Sequence, residues 1–140
     1  MRTQGIAVVA LLLGITAAIA APGQGIEATW LVEDGSTKIR FEPCGSDLCG
    51  RIVWLRDPAL RTPSMCGRTL IWGLTSDGPA QWDGGSFFDP ENGATYNVSA
   101  RVETADRIAA RIYRGIALFG KTEILTRIAS HSLPGWCGTE

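Results

Sequence analysis

Apolar and polar residues alternate along most of the chain that follows the first twenty positions. In residues 36–43, Ile39 and Phe41 fall on one face, whereas Lys38 and Arg40 fall on the other. An alternation with a period of two is typical of a half-buried β-strand, because successive side chains point to opposite faces. The alternation recurs with these faces: Ile52 and Trp54; Leu70, Trp72 and Leu74; Tyr96, Val98, Ala100 and Val102; Ile108, Ala110 and Ile112; Ile124, Thr126 and Ile128.

Short polar segments separate these strands. They are "EDGS" (33–36), "SDGPA" (76–80), "DPENG" (89–93) and "ETADR" (103–107), and each has the Asp, Asn, Gly or Pro that tight turns need. With "EATWLV" and "QWDGGSFF" as further strands, the pattern predicts about eight strands joined by short links. The segment "GIALFG" (115–120) is the exception, and we interpret it as one helical turn or a bulge between the last two strands.

Sequential antiparallel strands with short links fit two architectures. One is a closed up-and-down barrel and the other is a sandwich with Greek-key links. A Greek key needs a long crossover, whereas the links of this chain are short. The exception is the loop of residues 57–67, which has Cys66 near its end. The pattern therefore favours an all-β fold, an eight-stranded antiparallel up-and-down barrel. The interior of such a barrel is filled by its own side chains or holds one small ligand.

The first twenty residues have the features of a secretory signal peptide. Arg2 precedes an unbroken apolar run, and small residues surround Ala20, where we expect cleavage. The alternative, a membrane anchor, is disfavoured because the run is short for a span and no basic stop follows it. We expect residues 1–20 to be a signal peptide and residues 21–140 to form a single exported β-barrel domain. The mature protein would be periplasmic or extracellular, without a membrane span.

The charge balance argues against polyanionic partners. The formal net charge is −1, and the basic residues form no cluster along the chain. Nucleic acids and anionic membrane surfaces attract basic patches, so neither is an expected partner. We expect a monomer.

The chain has four cysteines, Cys44, Cys49, Cys66 and Cys137. An even number in an exported chain favours disulfides, whereas zinc prefers two close pairs or cysteine with regularly spaced histidine. Four cysteines allow three pairings, and of these we favour Cys44 with Cys49 and Cys66 with Cys137. The segment "CGSDLCG" would then be a turn closed by a disulfide.

The candidate catalytic groups are few. His131 is the one histidine, and it lies in the Pro- and Gly-containing tail after the last strand. A pair of carboxylates can cleave a glycosidic bond, and Asp83, Asp89 and Glu123 are candidates, although their spacing resembles that of surface acids. "DPENG" lacks the later bidentate Glu of a calcium-binding helix–loop–helix. We expect a non-enzymatic protein without a metal or another cofactor.

Five tryptophans are many for so small a domain. They could stack on a ligand, or they could simply fill the barrel. Trp54 and Trp72 alternate in step with apolar neighbours, so at least one of them should face inward. Trp82 has polar and small neighbours, and we expect it, with Asp83 beside it, to line the mouth of the barrel.

Several segments resemble one protein family, called domain of unknown function 2147. They are "CGSDLCG", "WDGG" with "DPENGATY", and the closing "LFGKTEILTR". The similarity extends over nearly the whole mature chain and implies an exported, lipocalin-like eight-stranded barrel, but it implies no activity. Two positions differ from the common pattern. The residue two before Trp30 is Ala28 and not glycine, and Leu125 stands where an aromatic residue is common.

In lipocalin-like barrels, an early tryptophan closes one end and a late arginine lies across its ring. The resemblance assigns these places to Trp30 and Arg127, which belong to the first and last strands. A guanidinium over an indole contributes about 0.5–2 kcal/mol. The alternative is that Arg127 is an exposed strand residue.

Two functions remain open. The first is a carrier or sensor that binds a small apolar or amphipathic molecule inside the barrel, with Trp54, Trp72 and Trp82 as ligand-binding residues and Tyr96 and Arg111 at the rim. The hollow would be bordered by these small residues: Ala28, Ala100, Ala110 and Thr126. The second is a protein-binding module, an inhibitor or an envelope-assembly factor, that acts through its loops. An apolar void of about 300 Å³ or more would favour the carrier.

Overall fold

The computed structural model describes Gly14, residues 25–129 and Cys137. The expected signal peptide lies outside these residues, apart from Gly14, and so do His131 and Trp136. The boundary after Ala20 therefore stays a prediction. Within the described ranges, no helix is long and apolar enough to cross a membrane.

Eight strands make up the described fold. They are β1 (Thr29–Leu31), β2 (Thr37–Cys44), β3 (Asp47–Leu55), β4 (Thr69–Ser76), β5 (Gln81–Asp89), β6 (Ala94–Thr104), β7 (Arg107–Tyr113) and β8 (Lys121–Ile128). Each strand pairs with the next one along the chain, and β8 pairs antiparallel with β1, which closes the barrel. Short 3₁₀ turns, Pro58–Leu60 and Ala117–Phe119, lie in the β3–β4 and β7–β8 links. The predicted up-and-down barrel is confirmed, and the alternative sandwich is wrong.

One end of the barrel is packed solid. In a meander, the starts of the odd strands and the ends of the even strands lie at the same end. At this closed end five large side chains are buried: Trp30, Phe41, Leu74, Trp82 and Ile108. Ile26, from the segment before β1, is also fully buried, and its carbonyl accepts a hydrogen bond of 2.9 Å from Trp30 Nε1.

Irregularities in β3 and β4 change which side chains face inward. In β3, Ile52 pairs with Ile39 and Trp54 with Lys38, so an extra residue lies between them and the inward series continues at Leu55. A β-bulge of this kind shifts every later side chain by one position. The predicted shared face of Ile52 and Trp54 is therefore wrong.

In β4, Gly73 has a φ of 72°, a conformation that glycine adopts without strain. The buried residues around it are Leu70, Ile71 and Leu74, whereas 39% of Trp72 is exposed. The predicted inward place of Trp72 is wrong, because the strand does not keep a period of two through the glycine.

The inward face of β8 is also opposite to the predicted one. Leu125 is buried and Thr126 is exposed. Glu123 and Arg127 share the inward face with Leu125. Glu123 lies beside the cavity described below, and Arg127 lies beside Trp30. Glu123 and Arg127 make the inward face of β8 the more polar one in the sequence. The prediction therefore chose the opposite face, with Ile124, Thr126 and Ile128.

Both predicted disulfides are present. Cys44–Cys49 closes the β2–β3 turn, and Cys66–Cys137 ties the β3–β4 link to the segment after β8. The backbone N–H of Cys137 also donates to the carbonyl of Val53 at 2.7 Å. Disulfides are typical of oxidising compartments, which agrees with an exported protein.

Candidate functional site: a cavity at the open end of the barrel

The half of the barrel opposite the closed end is hollow. Its cavity has a volume of about 1200 Å³ and reaches the links at the barrel mouth. Cavities that hold drug-sized ligands measure about 300–1,000 Å³, so this one has room for a larger molecule. The buried part of its wall is apolar, formed by Ile39, Ile52, Leu55, Leu70, Ile71, Val98, Ala110 and Leu125.

Charged side chains surround the mouth of the cavity. They are Asp34, Arg56, Asp57, Asp89, Glu91, Arg114, Lys121 and Glu123. Both signs occur in this set, and the sequence places them in the links and at the strand ends that meet at this end of the barrel. The site is thus amphipathic, with apolar walls and an ionic mouth.

Glu123 is the acidic group that β8 contributes to this lining. It lies opposite Ala110 of β7, and its Oε1 is 2.8 Å from Lys121 Nζ. The hydrogen bond with Glu123 is the main cause that raises the pKa of Lys121, and the charges of Glu123, Asp89 and Glu33 act in the same direction. Lys121 therefore stays protonated in the neutral range and holds the carboxylate at the mouth.

Tyr96 lies where the sequence analysis expected it, near the rim. The Tyr96 ring stacks on the Phe87 ring, with the two centroids 6.3 Å apart. Arg114 Cζ also contacts the Tyr96 ring and lies 4.7 Å from its centroid. The amide nitrogen of Asn92 donates to the Tyr96 hydroxyl at 2.9 Å. These contacts fix the ring as part of the wall, whereas its role in binding a ligand stays a prediction.

Arg111 does not lie at the cavity. Ala110 and Ile112 face inward, so the side chain between them points out of the barrel. Its guanidinium donates to the carbonyls of Ala117 and Leu118, at 2.8 and 3.2 Å, and to the Thr122 hydroxyl at 3.1 Å. The predicted place of Arg111 at the rim is wrong, because β7 keeps a strict alternation through this residue.

The three tryptophans expected around a ligand are likewise absent from the cavity lining. Trp54 lies outside the barrel wall, with Lys38 Nζ 4.2 Å from its ring centroid. Trp72 also lies outside. Only 2% of Trp82 is exposed, and it belongs to the closed end, so its predicted place at the mouth is wrong. Trp82 is the second residue of β5, and the start of an odd strand lies at the end opposite the cavity.

Trp30 and Arg127 lie next to each other at the closed end. They are register partners between β1 and β8, and Arg127 Cζ is 5.7 Å from the centroid of the Trp30 ring. Arg127 Nη1 also donates to the carbonyl of Ala105 at 3.3 Å. The guanidinium thus covers the indole from the side of the last strand, which is the geometry that the family resemblance implies.

The structure separates the three candidate carboxylates. Asp89 and Glu123 both line the cavity, whereas Asp83 interacts with Asp77 and accepts a hydrogen bond of 2.8 Å from Gln81 Nε2. The hydrogen bond between the two carboxyls raises the pKa of Asp77. Among the described residues, no group of three or more His, Cys, Asp or Glu side chains is arranged to hold a metal ion.

Some apolar residues of the cavity lining come from links, and the strand pattern of the sequence could not reveal them. Leu60, Met65 and Phe119 come from the β3–β4 and β7–β8 links and not from strands. Alternation cannot identify such residues. The available signal was composition, since "GIALFG" is an apolar segment inside a link.

A closed antiparallel barrel with one packed end and one open apolar cavity defines a lipocalin-like protein. The chain belongs to the family described as uncharacterized proteins conserved in bacteria, domain of unknown function 2147, which matches residues 28–127. It is also similar to a solved Helicobacter pylori protein described as belonging to the lipocalin family. The TM-score is 0.61 at 15% identity, and the match covers 75% of this chain and 84% of that one. At this identity, the likeness shows a shared fold alone. No curated protein matches the chain.

Proposed function

We propose that the protein is a non-enzymatic binding protein that holds one apolar or amphipathic molecule in its barrel. The observation that carries this proposal is the cavity of about 1200 Å³ with buried apolar walls. A hollow core forfeits packing energy, since each lost contact lowers stability. At the closed end, large side chains such as Trp30, Phe41 and Trp82 are buried and do not line the cavity, so the hollow is confined to the other half.

The charges around the mouth support an orientation for the ligand. Its apolar part would lie against Ile52, Leu70 and Leu125, and its polar group would lie near Lys121 and Glu123. Burying an apolar surface contributes about 25 cal/mol per Å², whereas burying an unpaired polar group costs free energy. A polar group that remains at the mouth avoids this cost.

A matched pair of tryptophan substitutions in β7 tests the proposal. Ala110 lines the cavity, whereas the adjacent Ala109 is on the outer face of the same strand. We expect Ala110→Trp to block the binding of an apolar fluorescent probe and Ala109→Trp to leave it at a stoichiometry of 1:1. Fluorescence titration gives the affinity, and circular dichroism verifies that both variants fold.

Two results would contradict the proposal. One is a folded wild-type protein that ignores a varied set of lipids and apolar probes. The other is an Ala110→Trp variant that binds them as tightly as the Ala109→Trp variant does. Ala100 is unsuitable for this test, although it was expected to border the hollow. It lies in the closed-end core and pairs with Trp82, so a larger side chain there would overpack the core.

The ligand itself is accessible to native mass spectrometry. Protein purified from its own cell envelope would carry a ligand whose mass is measured directly. The alternative function, a protein-binding module, would be favoured by a filled interior, and the observed cavity supports the carrier instead.

A further inference from the structure

The β7–β8 link exposes three apolar side chains at the mouth of the cavity. We call Ile116, Leu118 and Phe119 the apolar lip; their exposed fractions are 56%, 75% and 79%. Leu60, from the β3–β4 link, is the next exposed apolar residue at this end, and both Leu60 and Phe119 line the cavity. The apolar wall of the cavity therefore continues outward onto an exposed tip.

The exposure of the lip is built into the fold. The Arg111 guanidinium donates to the carbonyls of Ala117 and Leu118 and so fixes the backbone of the turn. Gly120 lies so close to β7 that a Cβ there would be 2.7 Å from Tyr113 Cβ. The turn is held at both of these points, which keeps the three apolar side chains exposed.

The lip is small for a protein interface. A stable interface buries about 800 Å² on each partner. A fully buried aromatic side chain supplies only about 150–250 Å², and the lip has one aromatic and two aliphatic residues. Insertion into a lipid interface needs no shape complementarity, and the strength of such peripheral attachment scales with the apolar area that is buried.

The segment that carries the lip contains basic residues and no acidic ones. Residues 108–122 contain Arg111, Arg114 and Lys121 and no acidic residue. Arg114 precedes the lip in the chain and Lys121 follows it. Arg114 lies over the Tyr96 ring and Lys121 is paired with Glu123, so the exposed apolar side chains, and not these charges, would supply the attachment. The acidic groups of the mouth belong to other links, to the end of β5 at Asp89 and to Glu123 of β8.

We propose that the apolar lip inserts into the interface of a phospholipid bilayer and places the mouth of the cavity against the lipid. This docking goes beyond the proposed ligand binding, because attachment to a bilayer needs no molecule in the cavity. A molecule that enters or leaves the cavity could then pass along a continuous apolar surface without crossing water.

Vesicle flotation tests the docking on the mature, oxidised protein. The probes are vesicles of phosphatidylcholine alone and vesicles that mix it with phosphatidylglycerol. We expect wild-type protein to float with both and to remain bound in high salt, since the attachment is apolar. The double variant Ile116→Ser with Leu118→Ser should bind at least about tenfold more weakly, because two inserted apolar side chains are lost.

Trp72→Ser is the matched control, since it removes an exposed apolar side chain from the outer wall, away from the lip. It should float like the wild type. The double variant should keep the thermal stability of the wild type, and it should also bind the apolar probe at 1:1 without vesicles, since neither residue lines the cavity.

Three outcomes would overturn the docking: wild-type protein that floats with neither vesicle, a double variant that floats as well as wild type, or flotation that high salt abolishes. Self-association through the lip, seen as a dimer that the double variant loses while vesicle binding persists, would also overturn it. If the vesicles bind but the apolar probe does not, the proposed cavity function fails and the docking stands.

Discussion

Trp30 has the most restricted surroundings of the side chains at the closed end. It has no exposed surface, its indole N–H donates to Ile26, and Arg127 covers its ring. These contacts give one side chain three separate constraints: packing, a hydrogen bond and a cation–π contact. The loss of the indole would therefore leave a cavity and an unpaired carbonyl together.

We expect Trp30→Ala to lower the free energy of unfolding by about 3–5 kcal/mol, as for other buried tryptophan truncations. Urea denaturation measures the change. Trp72→Ala is the matched control, and it should cost less than about 1 kcal/mol because its indole is on the outer wall. Equal losses for the two variants would mean that Trp30 does not close the barrel end.

The predictions for single residues succeeded where a strand alternates without interruption. In β6 and β7, the predicted inward residues Val98, Ala100, Ile108 and Ala110 are buried. The predictions failed at Trp54 and Trp72, because a bulge and a left-handed glycine each shift the register. Neither feature has an unambiguous signal in one sequence, since glycine occurs in strands for other reasons too.

Gly85 shows how closely neighbouring strands approach at the closed end. A Cβ at this position would be 2.7 Å from Leu74 Cδ2 and 3.0 Å from Val98 Cγ1. Glycine in a strand often marks such a close approach by a neighbour. Gly84 has a φ of 72°, and the register between β5 and β6 shifts between Trp82 and Gly85.

We expect Gly85→Ala to lower the free energy of unfolding by about 1–3 kcal/mol through overpacking. The comparison is Gly25→Ala, whose new Cβ would lie 3.8 Å from Val102 Cγ1, an ordinary contact. That variant should change stability by less than about 0.5 kcal/mol. Thermal and urea unfolding of both variants check the difference, and a neutral Gly85→Ala would show that the core can yield at this point.

The two disulfides constrain the whole molecule to different degrees. Cys44 and Cys49 are separated by 5 positions, and Cys66 and Cys137 by 71. In the chain-entropy model, the longer loop restricts the unfolded chain more. The long-range disulfide also holds Cys137 beside β3, where its backbone N–H donates to the carbonyl of Val53.

We expect loss of the Cys66–Cys137 disulfide, by the paired change of both residues to serine, to cost about 4 kcal/mol. The same change at Cys44 and Cys49 should cost about 2 kcal/mol. Urea denaturation of the two double variants compares the losses, and thiol titration verifies that the remaining disulfide is formed. A larger loss at Cys44 and Cys49 would contradict the chain-entropy explanation for this protein.

The topology of the whole molecule was predictable from the sequence, but the place of the cavity was not. Consecutive strands with short polar turns allow few arrangements, and the first and last strands then pair by closure. Which half stays hollow depends on the sizes of the inward side chains that all eight strands contribute at the same height along the barrel axis. Trp82 was predicted at the mouth from its polar neighbours, although the direction of β5 places it at the closed end.

The barrel is divided into a solid half and a hollow half. This division separates two demands on a binding protein, a stable folded core and a site that can accept a ligand. The largest fully buried side chains, Trp30, Trp82 and Phe41, belong to the solid half, so backbone amides there should be the slowest to exchange with solvent. Side chains around the hollow leave one surface without packing contacts. They can change size and polarity at little thermodynamic cost, so descendants of one sequence could acquire new ligands while keeping the same foldable base.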